Sequence, residues 1–231
     1  MKCLPSLVVY SEPKTIEDVL RPPQEWTEDQ IVAALRLLGK LCAAHAGGRY
    51  VLKLRSANTL FCDLILRAFP QAPWIFCVRD PLEVAVAFAT HPRLAVWFNR
   101  LDHPKNPFRG YMRDEHGRES SREVYIAHMY SALCRSIGQL DQTRGRIVEY
   151  GDLPDAVWSV VAPHFGLAIA PIEREAMAER ALQYSKAKRG KVIPYSSDGL
   201  RKWGSASEEL KSAVDLHARP ALADLLRLAS G

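Results

Sequence analysis

Five consecutive apolar residues, Trp74-Ile75-Phe76-Cys77-Val78, run directly into Arg79-Asp80-Pro81. A run of that length without alternation reads as a strand covered on both faces, and proline just after an aspartate reads as the first turn of a helix. One unit earlier the same grammar appears. Tyr50-Val51-Leu52-Lys53-Leu54 reads as a strand, and Asn58 stands where it can cap a helix with Leu60, Phe61, Leu64, Ile65 and Ala68 on its apolar face. Pro70 and Pro73 end that helix. Strand, helix, strand, helix with short connections is the pattern of βαβ units on a parallel sheet, so the chain is expected to be α/β.

The remaining segments fit that frame. Leu7-Val8-Val9-Tyr10 is a short β-type run, and Thr27-x-x-Gln30 is a capping box that opens a periodic stretch from Ile31 to Cys42, stopped by Gly47-Gly48. Residues Asp102 to Glu119 are polar and rich in His, Pro, Gly and Arg, which predicts a long surface loop. Ser120-x-x-Glu123 predicts a helix to about Leu140, and Arg146 to Tyr150 a further strand. Helices are expected near 156–163 and 173–183, and a last one after Ser205-x-x-Glu208, kinked at Pro220. The four β-type runs are expected in one mainly parallel sheet, with Lys53 and Arg79 at one strand-end edge. The C-terminal part is expected to be helical, and residues 1–231 to form a single domain.

Composition narrows the function classes. With 231 residues and 48% hydrophobic side chains the chain can bury a core, which excludes a disordered tail or a collagen-like chain. No apolar run reaches the roughly 20 residues of a membrane helix, and residues 1–10 do not read as a signal peptide. Five scattered cysteines without a C-x-x-C pair read as reduced thiols, mostly in the core, of a cytoplasmic protein. The net charge is +5, and the segment from Tyr184 to Trp203 carries six cations against one anion, an excess equal to that of the whole chain. A compact polyanion suits such a segment better than a long duplex does; a solvated loop is the alternative. The histidines show no H-x-H or H-E-x-x-H spacing, so no metal is expected, and no G-x-S-x-G elbow is present. No glycine-rich G-x-x-x-x-G-K-[ST] or G-x-G-x-x-G loop is present either.

Four segments taken in order resemble the sulfotransferase superfamily, which uses 3′-phosphoadenosine 5′-phosphosulfate. The stretch Phe69 to Val84, with Arg79-Asp80-Pro81, is similar to the family's strand and R-D-P turn. Val51-Leu52-Lys53-Leu54 is similar to its V-L-K strand, and Leu7 to Pro13 to the stretch after its phosphate-loop helix. Tyr184-Ser185-Lys186 through Lys202 is similar to its basic, cofactor-covering segment. The resemblance implies a P-loop-type sulfotransferase fold missing its first βα unit, because the sequence starts after the family's phosphate loop. It departs again at Ala87, where the family has a serine as second 3′-phosphate donor.

The resemblance also implies roles. Glu12 would be the general base that takes the acceptor's proton, or else it caps the helix near Thr15 or is simply exposed. Lys53 would stabilise charge on the leaving 3′,5′-bisphosphate, or else snorkel at a strand end. Arg79 would anchor the 3′-phosphate beside free helix N-terminal amides, or else pair with Asp80 to hold the turn. Ser185, Lys186 and Arg189, with Lys188 and Lys191, would close over the cofactor phosphates. Tyr150-Gly151-Asp152-Leu153 resembles a family turn and is expected to be structural. The implied activity is sulfuryl transfer to a hydroxyl or amine acceptor, with weak or no turnover expected where the phosphate loop is missing. The rivals are a non-catalytic relic of the fold with weak nucleotide binding and, more remotely, a basic nucleic-acid-binding module, which lacks interleaved aromatics.

Overall fold

The computed structural model describes residues 7–91, 121–182 and 203–230. In chain order the elements are β1 (Val8–Ser11), α1 (Lys14–Leu20), α2 (Glu28–Ala46), β2 (Tyr50–Lys53), α3 (Cys62–Ala68), β3 (Trp74–Val78) and α4 (Pro81–Thr90). They continue with α5 (Arg122–Gly138), β4 (Gly145–Glu149), α6 (Pro171–Ala181), α7 (Glu208–Ala213) and α8 (Arg219–Ser230). The architecture is mixed α/β, mostly helical, with short strands. Among the described residues the strands form two two-stranded sheets, β1 with β2 and β3 with β4, rather than the one sheet the sequence predicts. Two compact units divide the described residues: 7–74 with 152–182, and 75–91 and 121–151 with 203–230.

The first unit is built on β1 and β2, which run parallel with Val9 opposite Val51 and Ser11 opposite Lys53. Side chains alternate between the faces of a strand, and the two faces here enter two different apolar clusters. Leu7, Val9 and Val51 join Val157, Trp158, Leu167, Ile169 and Met177. Leu52 and Leu54 join Ile16, Leu20, Ile31, Val32, Leu35 and Leu64. The capping box at the start of α2 forms as the sequence predicts: the Thr27 hydroxyl accepts from the Gln30 N–H, and Gln30 accepts from the Thr27 N–H at 2.8 Å. Gly47 ends α2 at φ 70°, a left-handed cap that favours glycine.

Asn58 does not cap a helix. It lies within the 3₁₀ turn Ser56–Phe61, 2% exposed, and its side-chain oxygen accepts from Arg21 at 2.9 Å. A buried amide needs a partner, and the guanidinium supplies one. The helix expected near 156–163 is a π-type turn, Val157–Val161, that runs on through Ala162–His164.

The second unit is organised by α5, whose Ile126 and Ala127 are fully buried. α5 packs against α4, α7 and α8. The helix starts one residue later than the predicted capping box: Ser121 is the cap, accepting from the Val124 N–H. Ser207, not Ser205, caps α7. The chain passes toward Pro220 through a π-type turn, Val214–Ala218, where a kink was expected. Proline brings no N–H to the helical ladder, and a widened turn is one way a helix absorbs that loss.

Two burial expectations change. β3 is half-buried rather than covered on both faces, with Val78 buried and Cys77 exposed. Of the four described cysteines only Cys134 is buried, and all four are free thiols. Burial pushes the Cys62 and Cys134 thiols up to about 12, so neither is a ready nucleophile. Among the described residues no helix is long and apolar enough to cross a membrane. The loop expected at Asp102–Glu119 lies outside the described residues.

Candidate functional site

The end of the β1–β2 pair gathers two of the residues singled out by sequence. Glu12 follows the last residue of β1, and Lys53 is the last residue of β2. The Glu12 N–H donates to the Lys53 carbonyl at 2.7 Å, which extends the ladder by one bond. Glu12 then turns out of the strand at φ 54°, a left-handed conformation that a non-glycine residue adopts at a cost of about 1–2 kcal/mol. The turn brings its carboxylate to the Lys53 ammonium, which donates to Oε1. Residues two apart on an extended chain point the same way, so Arg55 reaches the same carboxylate, its Nε 3.3 Å from Oε2. The Arg55 guanidinium is also gripped by Glu17 of α1, with contacts of 3.0 and 3.2 Å.

The Lys53 hydrogen bond, aided by Arg55, holds the Glu12 carboxyl below the usual carboxylate range, and partial burial opposes them. Glu12 is therefore an ionised acceptor with a cation on each oxygen. It does not cap α1, whose N-cap is Pro13 without any side-chain bond. Nor is Lys53 desolvated: its side chain is 59% exposed. Arg55 and Glu17 were missed by sequence reasoning. The spacing Lys-x-Arg at a strand end was the available signal for Arg55; nothing local marks Glu17.

Arg79 sits, as expected, between a strand end and a helix start in the second unit. The aspartate beside it takes the helix N-terminus for itself. Asp80 accepts from the Leu82 and Glu83 N–H groups at 2.9 and 3.1 Å. The free amides expected there for a phosphate are thus already bonded to a carboxylate. Asp80 does not pair with Arg79; its other oxygen pairs with Arg219 at 3.0 Å. Arg219 also holds Asp215 at 2.7 Å and lies over the Trp203 ring.

The Arg79 guanidinium donates to Glu83, one helical turn on, and lies 4.6 Å from the centroid of the Tyr150 ring. Its carbonyl accepts from the Tyr130 hydroxyl at 2.7 Å. Tyr150, expected to be only structural, therefore forms one wall of the arginine's surroundings. Burial pushes the Tyr130 phenol well above its ordinary value, so it stays a neutral donor. Arg219, Tyr130 and Tyr150 were not legible as partners because they come from α8, α5 and the turn after β4, whereas Glu83 lies one helical turn from Arg79.

Ser185, Lys186 and Arg189, with the rest of the basic segment from Tyr184 to Lys202, lie outside the described residues. Among the described residues no group of three or more His, Cys, Asp or Glu is arranged to hold a metal ion. No protein-family model matches the chain, and no curated protein matches it. Among solved structures it is similar to the sulfotransferase domain from the curacin biosynthetic pathway, with a TM-score of 0.42 and 17% sequence identity, covering 94% of this chain and 76% of that one.

Proposed function

We propose that this chain is a sulfotransferase-like protein that moves a sulfuryl group from 3′-phosphoadenosine 5′-phosphosulfate to a hydroxyl or amine acceptor. The observation that carries this reading is the Glu12 carboxylate set at a strand end and ion-paired with Lys53. Two residues given complementary roles by motif, 41 positions apart, touch each other. An arginine at a strand end suits one phosphate group of the donor, and here it is flanked by an aromatic ring. When bound, the donor supplies a sulfur that bonds to the acceptor oxygen or nitrogen while its bond to the 5′-phosphate breaks, the electron pair leaving with the phosphate.

Glu12 takes the acceptor's proton onto a carboxylate oxygen, and its depressed pKa keeps it ionised at neutral pH. Lys53 supplies positive charge to offset what builds on the leaving group. On the strength of the sequence resemblance alone, Arg79 is assigned the 3′-phosphate, and Ser185, Lys186 and Arg189 further contacts to it. The acceptor is a small molecule or a peptide; no membrane segment or nucleic acid enters the reading, and the setting is the cytoplasm.

Transfer of radiolabelled sulfur from the donor, with protein in excess over donor, tests this against phenol, alcohol and amine acceptors. Label on an acceptor that is lost in Glu12→Gln supports the reading; no transfer to any acceptor overturns it. A second reading, a non-catalytic member with weak nucleotide binding, is favoured by one observation. Arg79 and the first amides of α4 are both already held by carboxylates of the chain, Glu83 and Asp80. Absent transfer together with a preference for adenosine 3′,5′-bisphosphate over AMP would select it.

A further inference from the structure

The Glu12 carboxylate has two different neighbours, and they are held differently. Lys53 meets Oε1 as a single flexible ammonium, 59% exposed, from the last position of β2. Arg55 meets Oε2 at 3.3 Å through Nε, and the same Nε lies 3.0 Å from Glu17 Oε1 while its NH1 lies 3.2 Å from Glu17 Oε2. The Nε–H donates to Glu12 and NH1 donates to Glu17, so one planar guanidinium bridges the two carboxylates and is held at both ends. Glu17 is the less exposed partner at 22%, on a helix whose Ile16 and Leu20 are buried in the core. A rigid helix thus holds an arginine, and the arginine holds the carboxylate of a residue with a left-handed backbone.

We propose that Arg55 is a positioning residue for Glu12, anchored on Glu17 and setting the orientation and protonation of the Glu12 carboxylate. This rests on the reading of Glu12 as the proton acceptor. Among the described residues the charged groups about it are Lys53 and Arg55 at the end of β2 and Glu17 across Arg55. On α1, Lys14 and Asp18 pair with each other at the surface. Lys53 alone leaves Oε2 unheld. With Arg55 in place both oxygens are restrained, and a proton reaches Glu12 only against two cations.

The test is a ¹³C-NMR titration of the Glu12 carboxyl carbon in the full chain, which needs neither donor nor acceptor. The wild type is compared with Arg55→Met, Arg55→Lys and, as reference, Lys53→Met. Arg55 is half exposed, so these variants are expected to fold, and thermal melts confirm it. Arg55→Met is expected to raise the midpoint by about half to one pH unit. Arg55→Lys restores the charge but not the planar bridge from Glu12 to Glu17, so it recovers part of the shift. An unmoved midpoint in Arg55→Met overturns the proposal. Full recovery in Arg55→Lys also overturns it, since charge alone would then suffice without the Glu17 anchor. Where turnover is measurable, the acid limb of kcat in Arg55→Met moves with the same midpoint. Failure of sulfuryl transfer with the titration as expected removes the functional reading but leaves the Arg55–Glu12 relationship; the converse result separates them the other way.

Discussion

Glu12 and Lys53 are joined twice: the Glu12 N–H donates to the Lys53 carbonyl at 2.7 Å, and the Lys53 ammonium donates back to the Glu12 carboxylate. The backbone bond continues the parallel register in which Ser11 faces Lys53. The side-chain bond exists because Glu12 leaves the strand at φ 54°. One residue therefore carries both the end of the sheet and the start of the candidate site.

The first prediction concerns pH. The folded Glu12 carboxyl is held below its unfolded value, chiefly by the Lys53 hydrogen bond. A depressed carboxylate contributes stability above its unfolded pKa, near 4.3 for a glutamate, and loses it as pH falls through the folded value. The stability gap between wild type and Lys53→Met should be full at neutral pH and close steadily below about pH 4. Urea denaturation across that range checks it. A gap that widens on acidification would contradict the pairing.

The second prediction separates backbone from side chain at Glu12. Both Glu12→Ala and Glu12→Gly remove the carboxylate and its ion pairs. Only glycine adopts the left-handed conformation without a Cβ penalty. Glu12→Gly should be more stable than Glu12→Ala by about 1 kcal/mol, after some offset from glycine's greater unfolded-state freedom. Matched denaturation curves decide it, and an alanine variant at least as stable as the glycine variant would show that the turn relaxes.

The third prediction treats Glu83 as a competitor for Arg79. The Arg79 and Glu83 side chains are 25% and 17% exposed, so their pair is less screened than a surface pair. A phosphate monoester reaching Arg79 competes with that carboxylate. Glu83→Gln should tighten binding of adenosine 3′,5′-bisphosphate by roughly three- to tenfold, since a charged contact of about 0.5–1.5 kcal/mol no longer competes. AMP should gain less. Arg79→Ala should erase the preference between the two nucleotides. Calorimetry measures all three, and equal gains for both nucleotides in Glu83→Gln would reduce the effect to long-range charge.

A fourth prediction tests the divided role of Asp80. Its carboxylate caps α4 and pairs with Arg219. Asp80→Asn keeps the cap and loses the ion pair; Asp80→Ala loses both. Alanine should cost about 1–2 kcal/mol of stability, most of it from the cap, and asparagine clearly less. Thermal unfolding of the two variants gives the order, and equal losses would assign the whole effect to Arg219.

Much of the local structure was written in the sequence. The Thr27–Gln30 box, the Gly47 stop and the Asp80-Pro81 helix start depend on bonds between residues at most a few positions apart. Such bonds follow from residue type and spacing alone. Where two serines competed for a cap, at 120 or 121 and at 205 or 207, the sequence did not choose correctly, because the cap is fixed by where the helix packs.

Arg79 and Glu12 were visible as polar residues just past apolar runs and Lys53 as a lysine within one, but their partners were not. Arg55 is beside Lys53 in the chain, yet only the parallel register brings either to Glu12. Glu83 lies one helical turn from Arg79, but which of Asp80 and Glu83 would take the guanidinium depended on α8 supplying Arg219 to the other. Charged side chains have several partners of nearly equal worth within reach, so sequence determines which residues are able to pair. Only the tertiary structure, by fixing distances between α1, β2, α4 and α8 and their neighbours within each unit, decides which of them do.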